Sequence, residues 1–71
     1  MFIKEIKIRE DFIRLDSALK FAGFVETGGH SKIVIQNGEV KVNGEVCTMS
    51  GKKLYEGDVA EFDNKTLKVA K

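Results

Sequence analysis

The sequence predicts an α+β domain, with two short N-terminal helices packed on a small, mostly antiparallel twisted sheet. Two observations support this fold class. In two short segments before Gly38, the residues expected to face inward are spaced as on one face of a helix. In the segments after Gly38, apolar and polar residues alternate around turn-forming pairs. The expected order is a strand, two helices and a run of short antiparallel strands.

The first strand and the first helix are predicted from the opening third of the chain. Ile6 and Ile8 alternate with Lys7, which indicates a strand. A helix is then indicated by an apolar stripe at positions i, i+3, i+4 and i+7, formed by Leu15, Ala18, Leu19 and Ala22. Gly23 follows this stripe and can adopt the left-handed conformation that ends helices. A helix this short needs tertiary packing to form.

The second helix is expected to begin at Thr27, whose hydroxyl can accept a hydrogen bond from the backbone N–H of His30. Gly38 is expected to end it, and its inward face consists of Ser31, Val34 and Ile35. Gly28 and Gly29 each cost a helix about 1 kcal/mol relative to alanine, so two of them in the first turn need a reason. Either the backbone passes close to the first helix, which we favour, or the amides stay open to an anion.

The clearest local signal is the segment 40–47, where alternating apolar residues flank Asn43-Gly44, the preferred pair for a type I′ hairpin turn. A two-residue turn sets Val42 opposite Glu45, although a β-bulge would change this register. Further turns are expected at Gly51, Gly57-Asp58 and Asp63-Asn64, and further strands at 59–62 and 66–69.

Composition limits the function. The chain has 71 residues. Its 12 lysines and arginines against 11 acidic residues give a net charge of +1, so the total charge does not by itself indicate a nucleic-acid partner. The acidic residues concentrate between 56 and 63, so one basic face and one acidic end are expected, with a merely mixed surface as the alternative. One cysteine, Cys47, and one histidine allow neither an internal disulfide nor a structural zinc site, so we expect no metal or cofactor. Without an export signal or a bilayer-spanning run, the expected compartment is the cytoplasm, with no membrane partner.

An ordered set of short motifs resembles the S-four RNA-binding domain, or alpha-L motif. The set contains Arg14-Leu15-Asp16, Leu19, Ala22, Gly23, Ile35, Gly38, Val40-Lys41-Val42-Asn43-Gly44, Lys52-Lys53-Leu54 and Gly57-Asp58-Val59. Each motif is weak alone, but the set with these spacings is specific. It covers about residues 13–62, so we expect residues 1–71 to form one such domain.

The resemblance implies a non-catalytic protein that binds structured RNA, often ribosomal or transfer RNA, through two helices and a hairpin lying against the RNA backbone. One departure stands out, because the family usually opens its second helix with Ser-Arg and this sequence has Thr27-Gly28. The hydroxyl cap is kept and the arginine is lost, as in a subgroup of small stand-alone bacterial proteins. His30 or Lys32 is expected to take over that contact.

The expected RNA-binding residues are Arg14, Lys20, Thr27, His30, Lys32, Lys41, Asn43, Lys52 and Lys53. Arg14 can bind a phosphate bidentately, and its alternative is an ion pair with Asp16 or Glu10. The lysines can position RNA through phosphates, although each could equally be a solvated surface residue, as the Lys52-Lys53 pair would be in a loop. Phe21 lies off the apolar stripe and is the aromatic residue to test for base stacking.

The leading interpretation is an RNA-binding module that recognises ribosomal or other structured RNA through shape and phosphates, in ribosome assembly or rescue. Its partners are then RNA and the ribosome or a ribosomal subunit, with no small-molecule substrate. A second interpretation is a protein-interaction adaptor that kept the fold without RNA binding, which the near-zero net charge and the loss of arginine at Gly28 favour. A small enzyme ranks last, because no nucleophile and base pair is apparent.

Overall fold

The computed structural model describes residues 2–71, and of Phe2 it describes the backbone alone. The elements in this range are β1 (Phe2–Lys7), β2 (Ile13–Arg14), α1 (Leu15–Phe21), α2 (Gly28–Gln36), β3 (Val40–Val42), β4 (Glu45–Val46), β5 (Lys53–Leu54), β6 (Val59–Phe62) and β7 (Lys65–Ala70). The α+β class with two helices is therefore confirmed, and the helices follow the predicted first strand, β1, and one further short strand, β2. Within the described range, no helix is long and apolar enough to cross a membrane.

The strands form two sheets. The larger has the order β1-β7-β6-β3-β4, and the smaller pairs β2 with β5. Only the pairing of β1 with β7 is parallel among these strands of residues 2–71, and the other pairs are antiparallel. The mostly antiparallel character is thus confirmed, while the twist of the sheet stays a prediction.

Both helices pack on one face of the five-stranded sheet. Alternate strand residues point to opposite faces, and the buried ones meet the buried residues of the helices in one core. The shared core contains, from the helices, Leu15, Ala18, Leu19, Ala22, Val34 and Ile35, and from the strands, Ile6, Val40, Val42, Leu54, Ala60, Leu67 and Val69. The predicted stripe of α1 is therefore confirmed in full. Lys41 lies between buried Val40 and Val42 and points to the other side, which we call the outer face.

The predicted caps and turns are present where the backbone needs them. The Thr27 hydroxyl accepts a hydrogen bond of 3.0 Å from the His30 N–H and so caps α2. The hairpin has the predicted two-residue turn, since Asn43 has φ 52° and Gly44 has φ 88°. Val42 pairs with Glu45 without a bulge. The register of the hairpin is therefore that of a type I′ turn.

Two predictions of local structure are wrong. Lys53 lies in the two-residue strand β5 and not in a loop, because it pairs with Arg14 of β2. Close helix packing does not explain the glycine pair: a Cβ built on Gly28 meets nothing within 4 Å, and one on Gly29 meets only the Thr27 side chain at 3.9 Å. Neither glycine has a positive φ, so neither sterics nor backbone conformation requires them.

Candidate nucleic-acid interface

A buried carboxylate orients Arg14 at the start of α1. One oxygen of Asp16 accepts a hydrogen bond of 2.8 Å from the Ser17 N–H, and the other forms an ion pair of 3.2 Å with Arg14 Nη2. The Asp16 side chain is only 10% exposed, whereas that of Arg14 is 53% exposed. Arginine has five N–H donors, so this pair leaves most of the guanidinium available to a ligand. The alternative that Arg14 pairs with Asp16 is thus realised, and it fixes the guanidinium without covering it.

The β2–β5 ladder holds Arg14 beside the second half of the chain. Arg14 pairs with Lys53, and Ile13 pairs with the fully buried Leu54. Two backbone hydrogen bonds extend this contact, from the Leu15 N–H to the Lys52 carbonyl at 2.8 Å and from the Asp16 N–H to the Ser50 carbonyl at 3.1 Å. Arg14 Nη2 also lies 3.6 Å from where a Cβ on Gly51 would stand. Two cations that are distant in sequence therefore share one surface of this small sheet.

The start of α2 is joined to the same region through a buried serine. Ser31 is fully buried, and its hydroxyl donates a hydrogen bond of 2.9 Å to the Asp16 carbonyl. Thr27 and His30 lie in the exposed first turn of α2, and exposed Lys32 follows Ser31. The hydrogen bond thus links the first turn of α1 to the predicted residues of α2.

The remaining predicted residues lie on other surfaces. Lys52 and Asn43 line one depression of about 450 Å³ beside the β3–β4 hairpin. Lys20 is exposed in the last turn of α1. Lys41 lies on the outer face directly opposite Glu61, in a depression that Glu39 and Asp63 also line. Arg14 and Lys53 are brought together, whereas Lys41 is separated from them, in a depression that three acidic residues and Lys65 line.

The predicted RNA-binding lysines form no ion pairs that would neutralise them within residues 2–71. Within residues 2–71, the ion pairs are Arg14 with Asp16, Lys65 with Asp63 and Lys71 with Asp11. None of the predicted lysines therefore has a carboxylate within ion-pair distance in the described part of the chain. Asn43 differs from them, because its amide nitrogen donates to Asp58 at 3.2 Å and its amide oxygen accepts from the Val59 N–H at 3.0 Å.

This arrangement suits binding of an anion. A guanidinium held by a carboxylate can form two parallel hydrogen bonds to a phosphate, and neighbouring ammonium groups add point charges. Among residues 2–71 there is no group of three His, Cys, Asp or Glu side chains that could hold a metal ion. The exposed His30 has its backbone N–H in the cap of α2.

Sequence reasoning missed three residues of this region. Asp16 was considered only as an alternative partner of Arg14, but it is the group that positions the guanidinium. Phe12 and Tyr55 were not expected to meet, yet their ring centroids are 6.0 Å apart. The signal for Asp16 was present in Arg14-Leu15-Asp16, whereas nothing local connects Phe12 with Tyr55.

Comparison with known proteins identifies the family. The sequence model described as "S4 domain" matches residues 6–70, which is nearly the whole chain. The chain belongs to the S4 domain family. This S4 domain extends beyond the motifs of residues 13–62, because the match includes the end of β1, from Ile6, and all of β7.

Two small bacterial proteins are similar to this S4 domain over most of their length. A protein of Bacillus subtilis named "Probable ribosome maturation protein RlbA" is 40% identical over 58 residues, which are 82% of each chain. YbcJ of Escherichia coli is 35% identical over 57 residues, 80% of this chain and 81% of YbcJ.

Solved structures show the same fold. The solution structure of YbcJ, described as an alpha-L motif involved in RNA binding, superposes with a TM-score of 0.71 at 30% identity and covers 100% of this chain and 89% of that one. The 30S ribosomal protein S4e of Thermoplasma acidophilum superposes with a TM-score of 0.67 over 82% of this chain and 31% of that protein. At 19% identity, this second likeness concerns the fold of the S4 domain alone.

Proposed function

We propose that this S4 domain is a non-catalytic RNA-binding protein that recognises structured RNA, ribosomal or transfer RNA, through its backbone phosphates. It acts in the cytoplasm, in ribosome assembly or rescue, and residues 1–71 serve as one binding domain. The descriptions of RlbA as a probable ribosome maturation protein and of YbcJ as an RNA-binding motif support this proposal. The one observation that carries the proposal is the half-exposed guanidinium of Arg14, fixed by buried Asp16 and paired across β2–β5 with Lys53.

Phosphate recognition follows from this geometry. An arginine whose orientation is already fixed loses little conformational freedom when it forms two hydrogen bonds to a phosphate. Contacts to phosphates position a protein on RNA without reading the base sequence, so the shape of the RNA backbone supplies the selectivity. The domain is therefore expected to prefer folded RNA with closely spaced phosphates over flexible single strands of the same charge.

The test compares two double variants with the same loss of charge. Arg14→Gln with Lys53→Gln changes the proposed surface, whereas Lys4→Gln with Lys68→Gln removes two exposed cations of β1 and β7, away from the β2–β5 ladder. Affinities for bulk ribosomal RNA and for bulk transfer RNA are measured between about 50 and 200 mM salt. Circular dichroism checks that each variant is folded.

For about five phosphate contacts, the log–log slope of affinity against salt is expected to be roughly −3.5 to −4.5 for the unmodified protein. The Arg14 and Lys53 variant is expected to lose affinity and to reduce the slope by about 1.4 to 1.8, because two contacts are gone. The Lys4 and Lys68 variant is expected to keep the slope. Equal behaviour of the two folded variants would contradict the proposed surface.

The adaptor interpretation makes the opposite prediction. In that case the unmodified protein binds neither ribosomal nor transfer RNA, and it copurifies with a protein after nuclease treatment. Crosslinking in cells, followed by sequencing of the attached RNA, then recovers no enriched RNA. That combination of results would exclude the RNA-binding function.

A further inference from the structure

The exposed side of the β2–β5 ladder carries two cations next to two aromatic rings. Antiparallel pairing sets Arg14 opposite Lys53, and extending the register by two residues sets Phe12 opposite Tyr55. Since residues two apart on a strand point to the same side, all four side chains share the face opposite buried Leu54. Contacts confirm this placement for Lys53 and the two rings: the rings of Phe12 and Tyr55 lie 6.0 Å apart, and Lys53 Nζ lies 4.9 Å from the centre of the Phe12 ring.

We propose that this face binds one unpaired nucleotide of the RNA, with its base stacked on Tyr55 and its phosphate held by Arg14 and Lys53. The inference rests on the proposed function and deepens it, because it names the local RNA structure that the site takes. Aromatic side chains are the usual platforms for bases that a loop or a bulge has left unpaired. Positions two apart on a strand are separated by about 6.6 Å, so the ring pair and the cation pair lie within reach of one nucleotide.

Tyr55 is the ring that receives the base, because its backbone is anchored and its ring remains open. Its backbone N–H donates to the Asp58 carboxylate at 2.7 Å, and its carbonyl accepts from the Asp58 N–H at 2.9 Å. The Phe12 ring supports it from one side at an angle of 52°. The side chain is nevertheless exposed, with half of the residue accessible to solvent. The backbone that carries the ring is therefore positioned before the RNA arrives, which lowers the cost of ordering on binding.

Charge complementarity distinguishes a nucleotide from an apolar partner. An apolar peptide side chain would bring no counter-charge for Lys53, which has no carboxylate within ion-pair distance in the described residues, whereas a nucleotide brings its own phosphate. Asp16 is the carboxylate closest to the cation pair in the described structure, and it is already engaged with Ser17 and Arg14. The face thus presents a positive charge and a flat ring together.

Phe21 provides a matched control. It is also an exposed aromatic residue, but it lies at the end of α1 and outside the β2–β5 ladder. It lines a groove with Phe12 and Ile13 in which it has no cation–π partner within residues 2–71. Replacing Phe21 by leucine therefore removes an exposed ring of similar size and leaves Tyr55, Arg14 and Lys53 in place.

The experiment measures affinity for two RNAs, a stem–loop with unpaired loop bases and a fully paired duplex with the same number of phosphates. Tyr55→Leu is expected to weaken binding of the stem–loop by about 5- to 150-fold, the range found when one stacked base loses its aromatic partner. Its affinity for the duplex is expected to stay unchanged. Tyr55→Phe keeps the ring and is expected to keep the affinity, and Phe21→Leu is expected to bind both RNAs normally.

A second readout follows the ring directly. Tyr55 is the single tyrosine of the chain, so incorporation of 3-fluorotyrosine gives one fluorine signal. Stacking of a base is expected to shift this signal when the stem–loop is added and not when the duplex is added. This readout needs no substitution, so it remains informative if Tyr55→Leu fails to fold.

The outcomes separate the two proposals. If Tyr55→Leu lowers the affinities for both RNAs equally, or if Phe21→Leu reproduces its effect, the nucleotide platform is wrong. If the Tyr55 variants change nothing while the Arg14 and Lys53 variant loses binding, the platform is wrong and the phosphate surface stands. If the Arg14 and Lys53 variant binds like the unmodified protein, the proposed function itself fails.

Discussion

Gly28→Ala is expected to stabilise this protein. Gly28 is the first residue of α2, has no positive φ, and leaves open space where a Cβ would stand. Alanine is favoured over glycine by about 0.8–1.0 kcal/mol in a helix interior and by less in a first turn, so a gain of about 0.5 kcal/mol is expected. A domain of this size is stable by only about 3–5 kcal/mol, so the gain is a measurable fraction.

Gly23→Ala is the matched control, because Gly23 and Gly28 differ in backbone conformation and both have room for a Cβ. A Cβ on Gly23 also meets nothing within 4 Å, but Gly23 has φ +78° after the end of α1. An alanine in this left-handed region costs about 1–2 kcal/mol. The same chemical change is therefore expected to stabilise at one site and destabilise at the other.

Urea unfolding followed by circular dichroism measures both effects. With an unchanged m-value, Gly28→Ala is expected to raise the midpoint and Gly23→Ala to lower it. In thermal unfolding, about 0.5 kcal/mol corresponds to a rise of roughly 2–4 °C. A loss of stability in Gly28→Ala would refute the reasoning, since it would mean that α2 needs glycine at its start for a packing reason.

Two further substitutions test contacts that hold the site. Ser31→Ala removes the 2.9 Å hydrogen bond between α2 and the Asp16 carbonyl. It is expected to cost about 1 kcal/mol, seen as a fall in melting temperature of roughly 4–8 °C, and an unchanged melting temperature would contradict it. Asn43→Gly keeps a residue that tolerates φ 52° but removes the side-chain bonds to Asp58 and Val59. A loss of about 1–2 kcal/mol in urea unfolding is expected, and a neutral result would mean that the turn alone fixes the hairpin.

The features that could be predicted from the sequence are those that local chemistry determines. The stripe of α1 follows from helical periodicity, and the Thr27 cap joins residues three positions apart. The hairpin follows from Asn43-Gly44, because this pair accepts two positive φ values in succession. Each signal lies within a few residues, so no knowledge of the rest of the chain was needed.

Long-range pairings were out of reach for a physical reason. Strands β2 and β5 have two residues each, too few to show an alternating pattern. Lys53 therefore looked like part of a loop, and its pairing with Arg14 could not be foreseen. The parallel pairing of β1 with β7 joins the two ends of the chain, and no local pattern specifies a partner at that distance.

The same limit divided the predicted site. Arg14 was identified from its motif, but Asp16, which fixes it, and Lys53, which lies beside it, depend on three-dimensional placement. Lys41 was identified from its motif, yet the sequence does not reveal that its side chain lies on the outer face opposite Glu61. The β2–β5 sheet, which has only two residue pairs, thus determines which cations lie close enough to act together.

The β2–β5 ladder joins stability and binding in one element. One side of the ladder contributes buried Leu54 to the core. Its exposed side presents Arg14, Lys53, Phe12 and Tyr55. Because its two strands are far apart in sequence, the cation pair forms only when the whole domain closes. A folded domain therefore presents the binding face complete, whereas a chain in which this ladder has opened loses the pairing of Arg14 with Lys53. Binding of RNA to this face is consequently expected to stabilise the folded state, in proportion to the ligand present.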